Sequence, residues 1–208
     1  MRILIADDHA VVRRGLREIL SAELSPLEIG EAADAAETLQ SIRRDHWDAV
    51  VLDITMPGGG GMDVLKQIRS SHPSLPVIVL SMHPEDQYAL RALRAGAAGY
   101  VTKDAAPEEL VAAIRKALSG GKYVSDSLAQ RLAAGVAAGL DGPSHSALSD
   151  REYEVMCMLA GGTSVSGIAI ELSLSVKTVS TYRSRILSKM GMASNAELTR
   201  YAMTEGLL

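Results

Sequence analysis

The stretch AVVLDITMPGGGG, Ala49–Gly61, runs through aliphatic residues to a carboxylate, Asp53, and then into a Pro/Gly-rich segment. Four consecutive apolar residues without polar alternation read as a strand buried on both faces. Pro57 and the glycines Gly58–Gly61 stop it from continuing as strand or helix. A carboxylate at such a position is costly to bury unless its charge is compensated, so the strand reads as a device for presenting an acid. The pattern recurs on both sides. RILIA (2–6), LEIGEA (27–32), PVIVLS (76–81) and GYVTK (99–103) are further short apolar runs bounded by turn residues. Helix-like stretches separate them: Ala10–Ala22, Asp34–Arg44, Met62–Ser71, Glu85–Ala95 and Pro107–Leu118, the last with Pro107 in its first turn and Gly120-Gly121 as its stop. Such alternation predicts an α/β fold, a doubly wound parallel five-stranded sheet with helices on both faces.

The chain has 208 residues, room for one large domain or two small ones. Charged residues at 22% and hydrophobic ones at 47% are the proportions of a soluble globular protein. The start, MRILIADDHA, meets two acids before any apolar leader, and no stretch offers the ~18 uninterrupted apolar residues of a membrane span. The expectation is a cytoplasmic protein with no membrane partner. The single cysteine, Cys157, lies in the apolar run VMCML and reads as a reduced core thiol. His9, His46, His72, His83 and His145 show no metal-ligand spacing, so zinc is not indicated. The net charge of -4 hides an asymmetry: residues 1–120 hold 13 Lys/Arg against 17 Asp/Glu, and residues 121–208 hold 8 against 8. Between Glu171 and Glu197 stand Lys177, Arg183, Arg185 and Lys189 with no acid, a basic patch within an acidic protein.

Beyond Gly121 the strand-like runs cease. Residues 121–147 read as a partly helical linker, Ala-rich over Ser125–Ala138 and with loop composition in LDGPSHSA (140–147). Residues 148–208 read as a small all-α domain of four helices. The first opens on a capping box, Ser149 to Glu152, ahead of Val155, Met156 and Leu159, and stops at Gly161-Gly162. The others cover Val165–Leu172, Val176–Met190 and Ser194–Thr204, with a second capping box from Ser194 to Glu197.

Ligands of open parallel sheets bind beyond the carboxyl ends of the strands. The five strands end on Asp7-Asp8, Asp53, Ser81 and Thr102-Lys103, apart from the second, which carries no such group. Carboxylates gathered at one edge repel unless a cation intervenes, and a hard divalent ion that keeps several waters, Mg2+, suits oxygen ligands in a shallow cleft. A lysine and a hydroxyl at the same edge complete the parts for phosphoryl transfer. Asp53 is then a carboxylate nucleophile that forms an acyl phosphate, and the glycines after it let backbone approach metal and phosphate closely.

ADDH (6–9), LDITMPGGGG (52–61), LSMH (80–83) and GYVTKD (99–104), in this order and spacing, resemble the receiver domain of two-component response regulators. The resemblance spans residues 1–120 and implies a flavodoxin-like fold. It implies that Asp53 accepts phosphate from a sensor histidine kinase, that Asp7, Asp8, Asp53 and the Thr55 carbonyl bind Mg2+, and that Lys103 contacts the phosphate. Ser81 and Tyr100 would be the switch pair, Ser81 bonding the phosphoryl group while Tyr100 changes rotamer. The four-glycine run departs from the family, which usually carries one or two larger residues there.

ELSLSVKTVSTYRSRILSKMGM, Glu171–Met192, reads as a helix-turn-helix in which Val179, Tyr182, Ile186 and Met190 form the buried face of the second helix. Lys177, Ser180, Thr181, Ser184 and Ser188 lie opposite. Short hydroxylic side chains allow close approach to base edges, while Lys177, Arg183, Arg185 and Lys189 reach phosphates. Residues 148–208 resemble the LuxR-type DNA-binding domain of the NarL/FixJ subfamily. That resemblance implies Ser180, Thr181 and Ser184 near bases, Lys177, Thr178 and Arg183 on the DNA backbone, and the last helix at a dimer interface.

The whole reads as a transcription regulator and not a substrate-turning enzyme: a kinase phosphorylates Asp53 and the phosphorylated chain forms a homodimer on double-stranded DNA. An alternative is an atypical receiver that binds DNA independently of phosphorylation. An aspartate-nucleophile phosphatase would carry a second acid two residues after the nucleophile, where this chain has Thr55.

Overall fold

The computed structural model describes the 208-residue chain apart from residues 57–59, 83–84, 106 and 131–143. Gly58, Gly59, His83, most of the Ala-rich stretch expected over Ser125–Ala138 and the first part of the 140–147 segment fall outside the described residues; 126–130 are helical. The chain divides into two compact units, Met1–Gln130 and Arg131–Leu208.

The first unit is built from β1 (Arg2–Ala6), α1 (Ala10–Glu23), β2 (Glu28–Ala32), α2 (Ala35–Arg44), β3 (Ala49–Asp53), α3 (Gly61–Ser71), β4 (Val77–Ser81), α4 (Glu85–Arg94), β5 (Gly99–Thr102) and α5 (Pro107–Leu118). All strand pairs are parallel and the order is β2-β1-β3-β4-β5, the flavodoxin-like arrangement. Every residue of β3 and β4 is buried, as their unbroken aliphatic runs require. β2 departs from the two-sided burial read into it: Glu28 and Glu31 are exposed and only Ala32 is buried. It is one of the two edge strands, and there charged residues deter pairing with another chain. Below the sheet, Leu16 and Leu20 of α1 meet Leu110, Val111 and Ile114 of α5 against Ile3, Ile5 and Val51. Asp34 caps α2 by accepting from Glu37 N, so this helix starts one residue later than expected.

The second unit contains a 3-10 turn, Ser144–Ala147, and helices α6 (Asp150–Ala160), α7 (Val165–Glu171), α8 (Val176–Met190) and α9 (Asn195–Thr204). The Ser149–Glu152 box is formed in both directions. The second box is not: Ser194 accepts from Glu197 N, but Glu197 Oε2 accepts from Ala193 N, one residue before the cap. Val179, Ile186 and Met190 of α8 are buried as expected, Leu187 joins them, and Tyr182 is half-buried. Cys157, expected in the core, is likewise only half-buried. Among the described residues no helix is long and apolar enough to cross a membrane.

Candidate functional site

β1 and β3 are neighbours although β2 separates them in sequence, so the chain leaves them in opposite directions and a crevice opens at their carboxyl ends. Asp7 and Asp8 follow β1, Asp53 ends β3, Ser81 ends β4 and Lys103 follows β5. Lys103 draws these ends together. Its Nζ donates to Asp53 Oδ2 at 2.6 Å and lies 2.7 Å from Asp7 Oδ2, while its backbone N donates to the Ser81 carbonyl at 2.8 Å. Asp7 and Asp53 are each 1% exposed. Thr55 holds the other Asp53 oxygen, donating to Oδ1 from its backbone N at 2.8 Å and from Oγ1 at 2.7 Å. Burial pulls the Lys103 pKa down, but Asp53 and then Asp7 more than reverse this, so the ammonium stays above its ordinary value and remains charged. Ser81 and Tyr100 are both buried, and Tyr100 pairs with Val79 along β4 and β5.

Ligand atoms of Asp7, Asp8, His9 and Asp53 lie within 4.8 Å of one another. Asp7 Oδ2 and Asp8 Oδ1 are buried without an aligned hydrogen bond, although Lys103 Nζ and His9 Nδ1 stand 2.7 and 2.8 Å away. Buried carboxylate oxygens without aligned donors are a cost that a hard divalent cation removes. The donor set therefore fits such an ion, and oxygen-rich coordination favours a hard cation over softer metals.

The glycine run acquires a concrete role at its last member. A Cβ on Gly61 would stand 2.3 Å from the Asp53 carbonyl oxygen and 2.4 Å from Ile54 Cα, both backbone atoms. Only glycine lets α3 begin directly against the end of β3, where Gly61 N donates to the Ile54 carbonyl at 3.0 Å. Gly61→Ala must displace the backbone that carries Asp53. We expect a loss of about 1–3 kcal/mol of stability in denaturant titration.

The second unit presents a different surface. Lys177, Ser180, Thr181, Ser184, Arg185 and Ser188 are exposed on α8. Thr181 Oγ1 and Ser184 Oγ donate back to the carbonyls of Lys177 and Ser180 at 3.0 and 3.1 Å, which fixes the hydroxyls and leaves their lone pairs outward. Thr178 is half-buried, and its hydroxyl shares a hydrogen bond with the capping Ser175. Two of the expected phosphate-reaching cations have structural partners. Arg183 Nε donates to Asn195 Oδ1 at 2.7 Å, and Lys189 Nζ donates to the buried Glu152 Oε2 at 2.6 Å. Lys189 thus fastens the end of α8 to the capping box of α6.

That bond has a pH signature. Burial raises the Glu152 pKa, but Lys189 and Ser149 outweigh it and hold the carboxyl below the ordinary glutamate range. A depressed folded pKa contributes stability that is complete above the unfolded value and is lost as pH falls through the folded one. Lys189→Met should therefore cost the second unit about 1–2 kcal/mol at neutral pH, and much less once Glu152 is protonated. Hydrogen exchange of α6 peptides in the full chain, compared at pH 6 and at successively lower pH below the ordinary glutamate range, checks this.

Two contributors escaped the sequence reading. His9 supplies its ring beside Asp8 and its backbone N to Asp7 Oδ1 at 2.8 Å, and Arg13 Nη1 donates to the Asp7 carbonyl at 2.7 Å. His9 was visible within ADDH, but Arg13 is one of several cations on an amphipathic helix and carries no motif.

Residues 3–115 match the family described as the response regulator receiver domain, and residues 146–202 match the luxR family of bacterial regulatory proteins. The response regulator UvrY of Escherichia coli K12 is 36% identical over 208 residues, covering 100% of this chain and 95% of that protein. GacA of Pseudomonas aeruginosa is 37% identical, covering 100% and 98%. Among solved structures, the RcsB response regulator of Salmonella typhimurium matches with a TM-score of 0.71 and 29% identity over 99% of this chain and 98% of that one. RcsB from Salmonella enterica serovar Typhimurium bound to promoter rprA in the presence of phosphomimetic BeF3- matches with a TM-score of 0.66 and 30% identity, covering 97% and 98%.

Proposed function

The chain belongs to the DNA-binding response regulators of two-component systems, and on that premise we propose that phosphorylation of Asp53 by a sensor histidine kinase controls its dimerisation and its hold on DNA. The observation that carries the reading is the set of contacts on Asp53. Thr55 fixes Oδ1 with two hydrogen bonds, which leaves Oδ2, the oxygen facing Lys103, as the nucleophile. Oδ2 attacks the phosphorus of a phosphohistidine; the new O–P bond forms as the N–P bond breaks, and the kinase imidazole departs with the electron pair. Lys103 already stands where the transferred group arrives and carries the charge to receive it.

Asp7, Asp8, Asp53 and the Thr55 carbonyl would hold Mg2+. The bound ion would neutralise the charge gathering on the phosphoryl oxygens. Ser81, buried at the end of β4, would donate its hydroxyl to the phosphoryl group, and Tyr100 would take a new rotamer in response. The added charge of about -1.5 to -2 is what reorganises this face. The phosphorylated chain would pair as a homodimer through α9 and place α8 in the major groove of successive half-sites. A kinase donor and duplex DNA as partners make the cytoplasm the compartment of this reading.

On α8, Lys177 and Arg185 are exposed for phosphates, with Ser180, Thr181 and Ser184 toward the bases; Thr178 serves the backbone, Arg183 keeps its Nη donors while Asn195 holds Nε, and Lys189 contributes by leaving Glu152. Salt titration of DNA binding tests this. Lys177→Ala and Arg185→Ala should each weaken binding to all duplexes alike and lower the salt slope by about 1. An unchanged slope in both variants would remove α8 from the interface.

A further inference from the structure

The chain leaving α5 does not depart freely from the first unit. Tyr123 N donates to the Ala98 carbonyl at 2.7 Å, and Tyr123 Oη donates to Glu109 Oε1 at 2.9 Å. Burial, then Glu109, push the Tyr123 phenol up to about 12, so it remains a donor across the physiological range. Close packing is allowed by Gly99, where a Cβ would stand 3.0 Å from Tyr123 Cβ. Two residues on, Ser125 Oγ donates to Glu85 Oε2 at 2.5 Å, and Ser127 Oγ donates to the same oxygen at 2.8 Å. Ser125 Oγ also accepts from Leu128 N at 3.2 Å, capping the helical residues 126–130, and Leu128 is buried.

The acceptor is the significant partner. Glu85 is the first residue of α4, four positions after Ser81, which ends β4 in the crevice. We propose that Glu85, Ser125 and Ser127 form a clasp that holds the first turn of the interdomain segment on the receiver while Asp53 is unphosphorylated, and that movement of Ser81 toward a phosphoryl group releases it. This rests on the receiver reading above and adds the route by which its state reaches the chain that leads to the DNA-binding domain.

The coupling is short-range. Only three residues separate Ser81 from Glu85 along the chain, so the route between them is at most roughly 14 Å of backbone. Hydrogen bonds at 2.5 and 2.8 Å are lost once an oxygen moves by roughly 1 Å and the alignment turns away. Both serines share one carboxylate oxygen, so they are released together. Tyr123 is bonded to Ala98, just before β5, and to Glu109 of α5, and so keeps the segment anchored upstream of the opening.

Hydrogen exchange over 125–130 in the full chain, read beside intact mass and DNA half-saturation, tests the clasp. The DNA is a duplex selected from a random pool by the phosphorylated wild type. Acetyl phosphate with Mg2+ should speed wild-type exchange in this segment about tenfold. Ser125→Ala/Ser127→Ala should show the faster exchange without phosphate, and its DNA affinity should sit within about threefold of the phosphorylated wild type. Because Ser125→Ala also removes a helix cap, Glu85→Ala, which removes the shared acceptor and leaves both serines intact, must shift exchange and affinity in the same direction. The clasp is overturned if phosphorylated wild type exchanges no faster here, or if the variants retain the full wild-type response in DNA affinity. A wild type that acquires no phosphoryl group overturns the parent reading instead, and the mass measurement separates the two.

Discussion

Asp53→Asn makes DNA affinity indifferent to phosphodonor. The reason is local and leaves the fold in place. An asparagine oxygen still accepts both Thr55 donors, so the end of β3 keeps its shape. Its amide nitrogen, however, replaces the nucleophilic oxygen and faces the Lys103 ammonium, donor against donor. No acyl phosphate can form on it. Converting a 1:99 equilibrium into 99:1 takes ~5.5 kcal/mol of differential stabilisation, and all of the part supplied by phosphate disappears. Anisotropy titrations with and without acetyl phosphate should give separated curves for the wild type and superimposed curves for the variant. A variant still stimulated like the wild type would move the phosphoacceptor elsewhere.

Asp8→Ala lowers phosphoryl uptake by about a hundredfold or more while leaving stability unchanged or raised by about 1 kcal/mol. The opposed signs follow from the structure. Asp8 Oδ1 is buried without an aligned donor, so removing it relieves a cost in the resting protein. In the proposed reading the same oxygen would be a ligand for the divalent ion, so its loss would take one charge from the site when phosphate must be bound. Chelation of the metal from the wild type should reproduce the kinetic loss. A variant that is destabilised yet phosphorylates normally would make Asp8 structural. Residues whose removal costs activity and spares stability mark sites where function has been built at the expense of folding.

Much of this was readable from the sequence because strand ends are marked chemically. A buried parallel strand must be apolar throughout, so the first charged residue after AVVL or RILI falls at the sheet edge, and five such edges meet at one side. That logic located Asp7, Asp8, Asp53, Ser81 and Lys103 without tertiary information. It could not reveal that β2 is an edge strand, because order within the sheet depends on crossover geometry. Nor could it say which cations on α8 are spoken for. Lys189 looks identical to Lys177 along the chain, and only the placement of Glu152 beside it distinguishes a paired from an available charge, while Asn195 fixes Arg183 through Nε without neutralising it. The same limit applied to Glu85, whose partners lie about forty residues away at Ser125 and Ser127. Long-range polar pairs leave no periodic trace.

Intact mass after incubation with acetyl phosphate, with Mg2+ and with the metal chelated, beside Asp53→Asn, addresses the central claim most directly. The account predicts one phosphoryl adduct on the wild type, dependent on the metal and absent from the variant. An adduct that persists in Asp53→Asn, or a wild type that gains none, would contradict it.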